Sequence, residues 1–394
     1  MKRTINQLKQ DFPGMDARHV QRLTDLGFRN GSHVEDVARG HPDSNKLIAA
    51  CLEVDQDALL RALGWSRWPE HCGVSLSCPC PLGGVLAPEN GHDATPRGSI
   101  GIATRRRIPD HASLTKRFQD ARDQLAVGTC TAFGSTAVAE AQYGPIDLSE
   151  AFVYSITKSI DGHPDTDGSW LKFAMQVAAE YGSPLESTWP YRDNREFLRQ
   201  RPSAAAFAEA RKYRSNPPQA IALVPKDVDQ IRATIADERA VAVSLPIFRS
   251  SYASLRFHSE GRFLMKLGIF DGVAGWHAMC VVAYVDNNHL ARHGFAEELG
   301  GGAFLVRNSW GTHWAKDNPL AAHLSAGPGY AIVPYGYVAA YCFEAFTLPA
   351  VANRLEPAAW VAKRLTNVGH EWWSRTRHAI VADARQRLSS LDRS

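Results

Sequence analysis

A thiol at Cys130, an imidazole at His277 and a side-chain amide at Asn308 are the three residue types that together can break acyl bonds. A thiolate attacks a carbonyl, an imidazole takes and returns its proton, and an amide holds the imidazole's far nitrogen in one orientation. Cys130 to His277 is 277 − 130 = 147 residues, and His277 to Asn308 is 308 − 277 = 31. In Gly128-Thr129-Cys130-Thr131-Ala132 the cysteine stands where a loop meets a helix. A helix N-terminus offers free N–H groups and a positive dipole end, which stabilise a thiolate. Gly275-Trp276-His277-Ala278-Met279 places the histidine at the entrance of an apolar strand, and Asn308 ends another beside Trp310 and Trp314. Singly, each has a bland explanation: a buried cysteine, a structural histidine, a strand-end amide. Together they point to acyl transfer through sulfur.

Positioning them requires helices first and strands later within one unit, an α+β arrangement. Helical runs are expected to start near Cys130, Leu148 and Trp170, with another over Val228 to Ala236. Strand-like runs follow at Ala240 to Leu245, His277 to Tyr284, Ala303 to Arg307 and Tyr330 to Pro334. The catalytic unit is therefore placed at residues 108–348. Residues 1–65 read as a small all-α domain of short helices, one opened by Asp16 and closed by Gly27. Residues 66–107, rich in Gly, Pro and Cys, read as an irregular linker or a segment covering the cleft. Residues 349–394 read as a basic, amphipathic, helical tail; from 353 it carries 8 Lys/Arg against 4 Asp/Glu, with Trp360, Trp372 and Trp373. Packing back on the parent domain is its expected fate.

These motifs resemble those of the papain-like cysteine peptidases, especially the bacterial branch, from about Ile108 to Tyr341. The family's cysteine precedes its histidine and asparagine by about 130–150 residues. His277 lies within that span and Asn308 somewhat beyond it. Leu148-Ser149-Glu150, Tyr181-Gly182 followed by Trp189-Pro190-Tyr191, Asn308-Ser309-Trp310-Gly311 with Trp314, and Gly329-Tyr330 all match the family's order. The resemblance implies a two-lobed fold, one lobe helical and one barrel-like. It implies Cys130 as nucleophile, His277 as its ion-pair partner and proton donor, and Asn308 as the residue that orients the ring. Gln124, six residues before Cys130, matches the oxyanion glutamine. Gly168 resembles the glycine that pairs with substrate backbone, and Trp276 and Trp310 are expected at the substrate site, Trp310 also shielding the His–Asn contact. Leu125, Ala126 and Val127 stand where relatives carry a disulfide-forming cysteine, which fits a reducing compartment. The implied activity is a thiol endopeptidase acting on protein or peptide substrates with no cofactor. The alternatives are a thiol acyltransferase or transpeptidase, or an inactive binding scaffold on the same fold; the intact set of residues argues against the scaffold.

The remaining signals are bounded by composition. Of 394 residues, 44 are Lys or Arg and 41 Asp or Glu, a net charge of +3 that argues for no dedicated nucleic-acid binder. No stretch approaches the ~18 apolar residues of a membrane helix, and no apolar run follows Met1-Lys2-Arg3, so a cytoplasmic protein is expected. Phe12-Pro13-Gly14-Met15-Asp16 resembles a helix-hairpin-helix turn, but Asp16 would repel a phosphate, so the N-terminal domain is expected to meet a protein partner, to target or to inhibit. Seven thinly spread cysteines form no disulfide framework. Cys72, Cys78 and Cys80, with His71, could supply four ligands to Zn²⁺, but their spacing is not a standard zinc knuckle, and unpaired linker thiols are expected.

Overall fold

At the N-terminus, Asp16 Oδ1 accepts the backbone N–H groups of Arg18 (2.8 Å) and His19 (3.2 Å), so a carboxylate satisfies the first turn of helix α1 (Ala17–Asp25). A 3₁₀ turn (Ile5–Gln10) precedes it. The computed structural model describes residues 108–266 and 271–350, and before them only 5–10, 15–25, 31, 34, 48–49, 52–54 and 59. The sequence expectations for residues 66–107, including Cys72, Cys78 and Cys80, and for the tail from 351 lie outside the described residues. Ile5, Leu8, Met15, Leu23, Val34, Ile48, Leu52 and Leu59 are buried together, and one residue of the catalytic unit, Leu264, is buried with them.

From residue 108 the chain builds a helical layer and then a sheet. Helix α2 (Cys130–Tyr143) is Ala-rich and buried along nearly its whole length, from Cys130 to Ala141. Ser149 caps α3 (Glu150–Ile160) by accepting the Phe152 N–H at 3.1 Å. Helix α4 (Leu171–Glu180) follows, then α5 (Ala204–Ala210) and α6 (Val228–Ala236), capped by Asp227. Phe152, Tyr154, Ile156, Ala174 and Leu198 form the core of this helical side.

The sheet has seven antiparallel strands: β1 (His111–Ser113), β2 (Ile221–Ala222), β3 (Val241–Phe248), β4 (Val273–Asp286), β5 (Gly302–Arg307), β6 (Tyr330–Pro334) and β7 (Glu344–Thr347). Their order is β2-β7-β3-β4-β5-β6, with β1 also on β4. Strands β3, β5 and β6 are buried throughout, reading as continuous apolar runs because both faces are covered. Short helices join them: α7 (Leu255–Glu260), α8 (Asn287–Arg292), α9 (Pro319–His323) and α10 (Tyr335–Tyr341). Helix α2 lies close on β4: a Cβ on Gly134 would come within 3.4 Å of the Met279 backbone. The register then sets the site. Cys280 of β4 pairs with Arg307, the last residue of β5, so Asn308 emerges beside the end of β4 that carries His277. Among the described residues, no helix is long and apolar enough to cross a membrane.

Candidate active site

Cys130 is the first residue of α2. Its N-cap, Thr129, makes no capping bond; the Thr129 hydroxyl instead lies 2.9 Å from the Tyr191 hydroxyl. The helix's first N–H groups are thus left for chemistry. The Ala278 N–H, next in sequence to His277, donates to Cys130 Sγ at 3.3 Å. That contact brings Cys130 and the strand of His277 together across the interface between helices and sheet.

His277 Nε2 lies 2.6 Å from Asn308 Oδ1. The Ser309 backbone N–H donates to the same oxygen at 2.8 Å. An atom that accepts a backbone N–H must be the carbonyl oxygen of the amide, so the amide's orientation is fixed. Nε2 of His277 therefore carries the proton. Nδ1, buried and without a hydrogen-bond partner, keeps its lone pair for a proton from the thiol. Trp310 stacks on the imidazole, centroids 4.6 Å apart at 27°, and meets Trp314 edge-on at 5.0 Å.

Gln124 is held on the same loop. The Gln124 N–H donates to the Ser309 carbonyl at 2.8 Å and the Gly311 N–H to the Arg122 carbonyl at 3.0 Å, a short bridge that ties the glutamine segment to the asparagine loop. On its side chain, Oε1 accepts the Ser309 hydroxyl at 2.5 Å, and one Nε2 hydrogen goes to the Val127 carbonyl at 3.0 Å. The second Nε2 hydrogen is not consumed by that bond. With the backbone N–H of Cys130, it can serve an oxyanion.

Residues 108–319 match the family model described as the papain family cysteine protease. The chain belongs to the papain family. Peptidase 1 of Psoroptes ovis is 27% identical over 198 residues, 49% of this chain and 53% of that protein. Digestive cysteine proteinase 2 of Homarus americanus is 24% identical over 201 residues, 49% of this chain and 54% of that one. The chain thus spans about half the length of the curated relatives it matches. Xylellain, a cysteine protease from Xylella fastidiosa, superposes with a TM-score of 0.50 at 21% identity, covering 62% of this chain and 87% of that one, a likeness of fold.

Against the papain-family pattern, the other expected residues divide. Trp310 is only 1% exposed and its ring lies against His277. Trp276 is half-buried, its ring edge-on to Phe343 at 5.8 Å. Gly168 has φ +83°, a conformation that favours glycine. Its N–H donates to the Tyr154 hydroxyl at 3.2 Å and its carbonyl accepts Lys158 Nζ at 2.8 Å. For a substrate backbone that leaves the carbonyl's second lone pair. Sequence reasoning missed Tyr154 and Lys158, which hold this loop, and Tyr191, whose hydroxyl donates to the Gln124 carbonyl at 2.7 Å. Tyr154 and Lys158 sit on helix positions that carry no motif of their own, and Tyr191 reads only as part of Trp189-Pro190-Tyr191, without a role of its own.

Burial decides the resting protonation of the pair. It pushes the Cys130 thiol up to about 12, against the pull of the backbone N–H groups of Ala278, Thr131 and Cys130 itself. It pushes His277 down to about 4, although the Asn308 hydrogen bond raises it. Burial thus opposes the stabilisation of a thiolate that the helix end supplies. Opposite charges formed together on such a pair would offset each other's desolvation.

Proposed function

We propose that the chain is a thiol-dependent endopeptidase working through a thioester intermediate. The Cys130 proton moves to His277 Nδ1 as Sγ attacks the peptide carbonyl carbon. The tetrahedral oxyanion is met by the Cys130 N–H and the Gln124 side-chain N–H. Collapse breaks the C–N bond while His277 returns its proton to the leaving amine. A water then gives a proton to His277 and attacks the thioester, and the thiol leaves. The observation that carries this reading is the Ser309 N–H on Asn308 Oδ1, which puts the His277 proton on Nε2 and leaves Nδ1 with its lone pair. The test is hydrolysis of a proteome-derived peptide mixture, with products read by mass spectrometry. Internal cleavage that vanishes in Cys130→Ala is expected; cleavage retained by a pure Cys130→Ala sample would refute the assignment. An acyl-enzyme released only to an amine acceptor, never to water, would make the protein a transferase.

Leu125, Ala126 and Val127, standing where relatives carry a disulfide-forming cysteine, support a reducing, cytoplasmic setting. Among the described residues Cys130, Cys280 and Cys342 are free thiols. The packing of N-terminal apolar residues on Leu264 supports a further part of the proposal, that the N-terminal module docks on the catalytic unit and holds it latent. Leu264 precedes by 277 − 264 = 13 residues the histidine of the triad.

A further inference from the structure

Four imidazoles crowd one corner of the sheet side, away from the triad. His289 lies on α8 and His293 directly follows that helix, one turn on; His323 ends α9 and His111 opens β1. His289 Nε2 is 3.0 Å from His323 Nε2. The rings of His289 and His293 stack at 4.2 Å, those of His293 and His323 lie 4.7 Å apart, and His111 is 4.2 Å from His289. One ligating nitrogen each from His289, His293 and His323 falls within 4.8 Å of the others. The length of β4 separates this corner from His277: nine residues from His277 to Asp286, at ~3.3 Å each, span up to about 30 Å.

Two features distinguish a chelating set from a chance stack. The first is orientation. His293 Nδ1 lies 2.9 Å from the His289 carbonyl, so Nδ1 holds the proton and Nε2 keeps its lone pair. His111 Nδ1 likewise lies 3.0 Å from Asp110 Oδ1, the carboxylate–histidine pairing that fixes a ligand's tautomer. The second is spacing. Two nitrogens bound at about 2.0–2.1 Å to one tetrahedral ion stand about 3.3 Å apart, close to the His289–His323 separation. A single proton can bridge that pair, but it leaves the third ring's lone pair unused; an ion uses all three.

We propose that His289, His293 and His323 bind one divalent transition-metal ion of the kind imidazole favours, Zn²⁺ above all, with the fourth position left to His111 or water. At such a distance the ion takes no part in peptide cleavage. It clamps α8, at the far end of the histidine strand, to α9, and so stabilises the folded state as any ligand of the native form does.

The experiment uses the full chain without a histidine tag, carrying Cys130→Ala so that the active-site thiol binds nothing. Zn²⁺ binding is measured by calorimetry and by the shift in melting temperature, and Co²⁺ serves as the spectroscopic probe. One site is expected, with a Co²⁺ spectrum lacking the near-ultraviolet band of thiolate ligation, and with melting raised by Zn²⁺. His293→Ala, at an exposed position that leaves the fold intact, is expected to weaken binding at least tenfold and to abolish the melting shift, and His323→Gln to do the same. Equal Zn²⁺ affinity in the parent and both variants would overturn the proposal. So would a full-stoichiometry Co²⁺ complex showing thiolate charge transfer, or no binding at micromolar Zn²⁺.

Discussion

The imidazole of His277 has no exposed surface, and its one side-chain hydrogen bond goes to an amide, not a carboxylate. That choice has a consequence for acid stability. With its pKa at about 4 in the folded chain against about 6.5 when unfolded, His277 stays neutral in the native state while the unfolded chain takes up a proton. The contribution is whole above pH about 6.5 and is lost as pH falls toward about 4. The loss is about 3 kcal/mol at 1.36 kcal/mol per pH unit. Urea unfolding at pH 6.5 and pH 4 should therefore show a smaller drop in His277→Gln than in the parent. An equal or larger drop in the variant would mean that the folded site does not hold His277 below its unfolded pKa. Gln124 gives a second prediction. Gln124→Ala should lower kcat by roughly 10²–10³, the scale of one oxyanion donor. Ser309→Ala removes only the hydroxyl that holds Gln124 Oε1, so it should lower kcat by about tenfold with little change in KM or melting temperature. A Ser309→Ala enzyme with unchanged kcat would show that the Val127 carbonyl alone positions the glutamine.

At the scale of elements, the cleft exists because helix and sheet are joined at a few fixed points, and Glu344 is one of them. Its carboxylate, at the start of β7, accepts the N–H groups of Leu171 (3.0 Å) and Lys172 (3.1 Å) at the start of α4, and the Ser244 hydroxyl of β3 at 3.0 Å. It acts as a helix cap supplied from the other lobe. Glu344→Leu would leave one buried and one part-buried helix N–H without an acceptor and should cost about 3 kcal/mol by urea unfolding. Glu344→Gln keeps an acceptor oxygen and should cost less. Equal losses would mean that charge rather than capping matters there. None of this was legible from the sequence, where Glu344 is one acidic residue in a short apolar stretch. Longer elements were legible because they hold several periods of their pattern. Cys130–Tyr143, Leu171–Glu180 and Val228–Ala236 lie where helical runs were expected, and β4, β5 and β6 where strand runs were. Helices α8, α9 and α10 span seven residues or fewer, too few turns for a 3.6-residue period to register. Strand β2 has two residues and β7 four, which no alternation can mark. The site divides in the same way. Motif positions around Cys130, His277 and Asn308 could be read directly, whereas the Ser309 hydroxyl on Gln124 joins residues 185 apart and is a product of the register.

For the whole molecule, the question is what the proposed N-terminal docking does to a site whose Cys130 and His277 are both fully buried. Leu264 offers a handle because its side chain is 2% exposed and packs with Ile5, Leu8, Leu23 and Ile48, not with the main core of its own unit. Burying such a side chain stabilises docking by about 1.5–3 kcal/mol, and a charge placed there would oppose it by at least as much. If docking keeps the enzyme latent, Leu264→Lys in the full chain should raise peptide hydrolysis several-fold, toward the rate of a chain beginning near Arg107. The same substitution in the shortened chain should change little, since the partner of Leu264 is already gone. Alkylation of Cys130 by iodoacetamide should follow the same order, slow in the full chain and faster in the other two. That pattern is a double-mutant cycle between a point change and a truncation, and its non-additivity measures the coupling. Equal activity and equal alkylation in the full and shortened chains would exclude latency. A Leu264→Lys effect as large in the shortened chain as in the full one would place the residue's role within the catalytic unit itself.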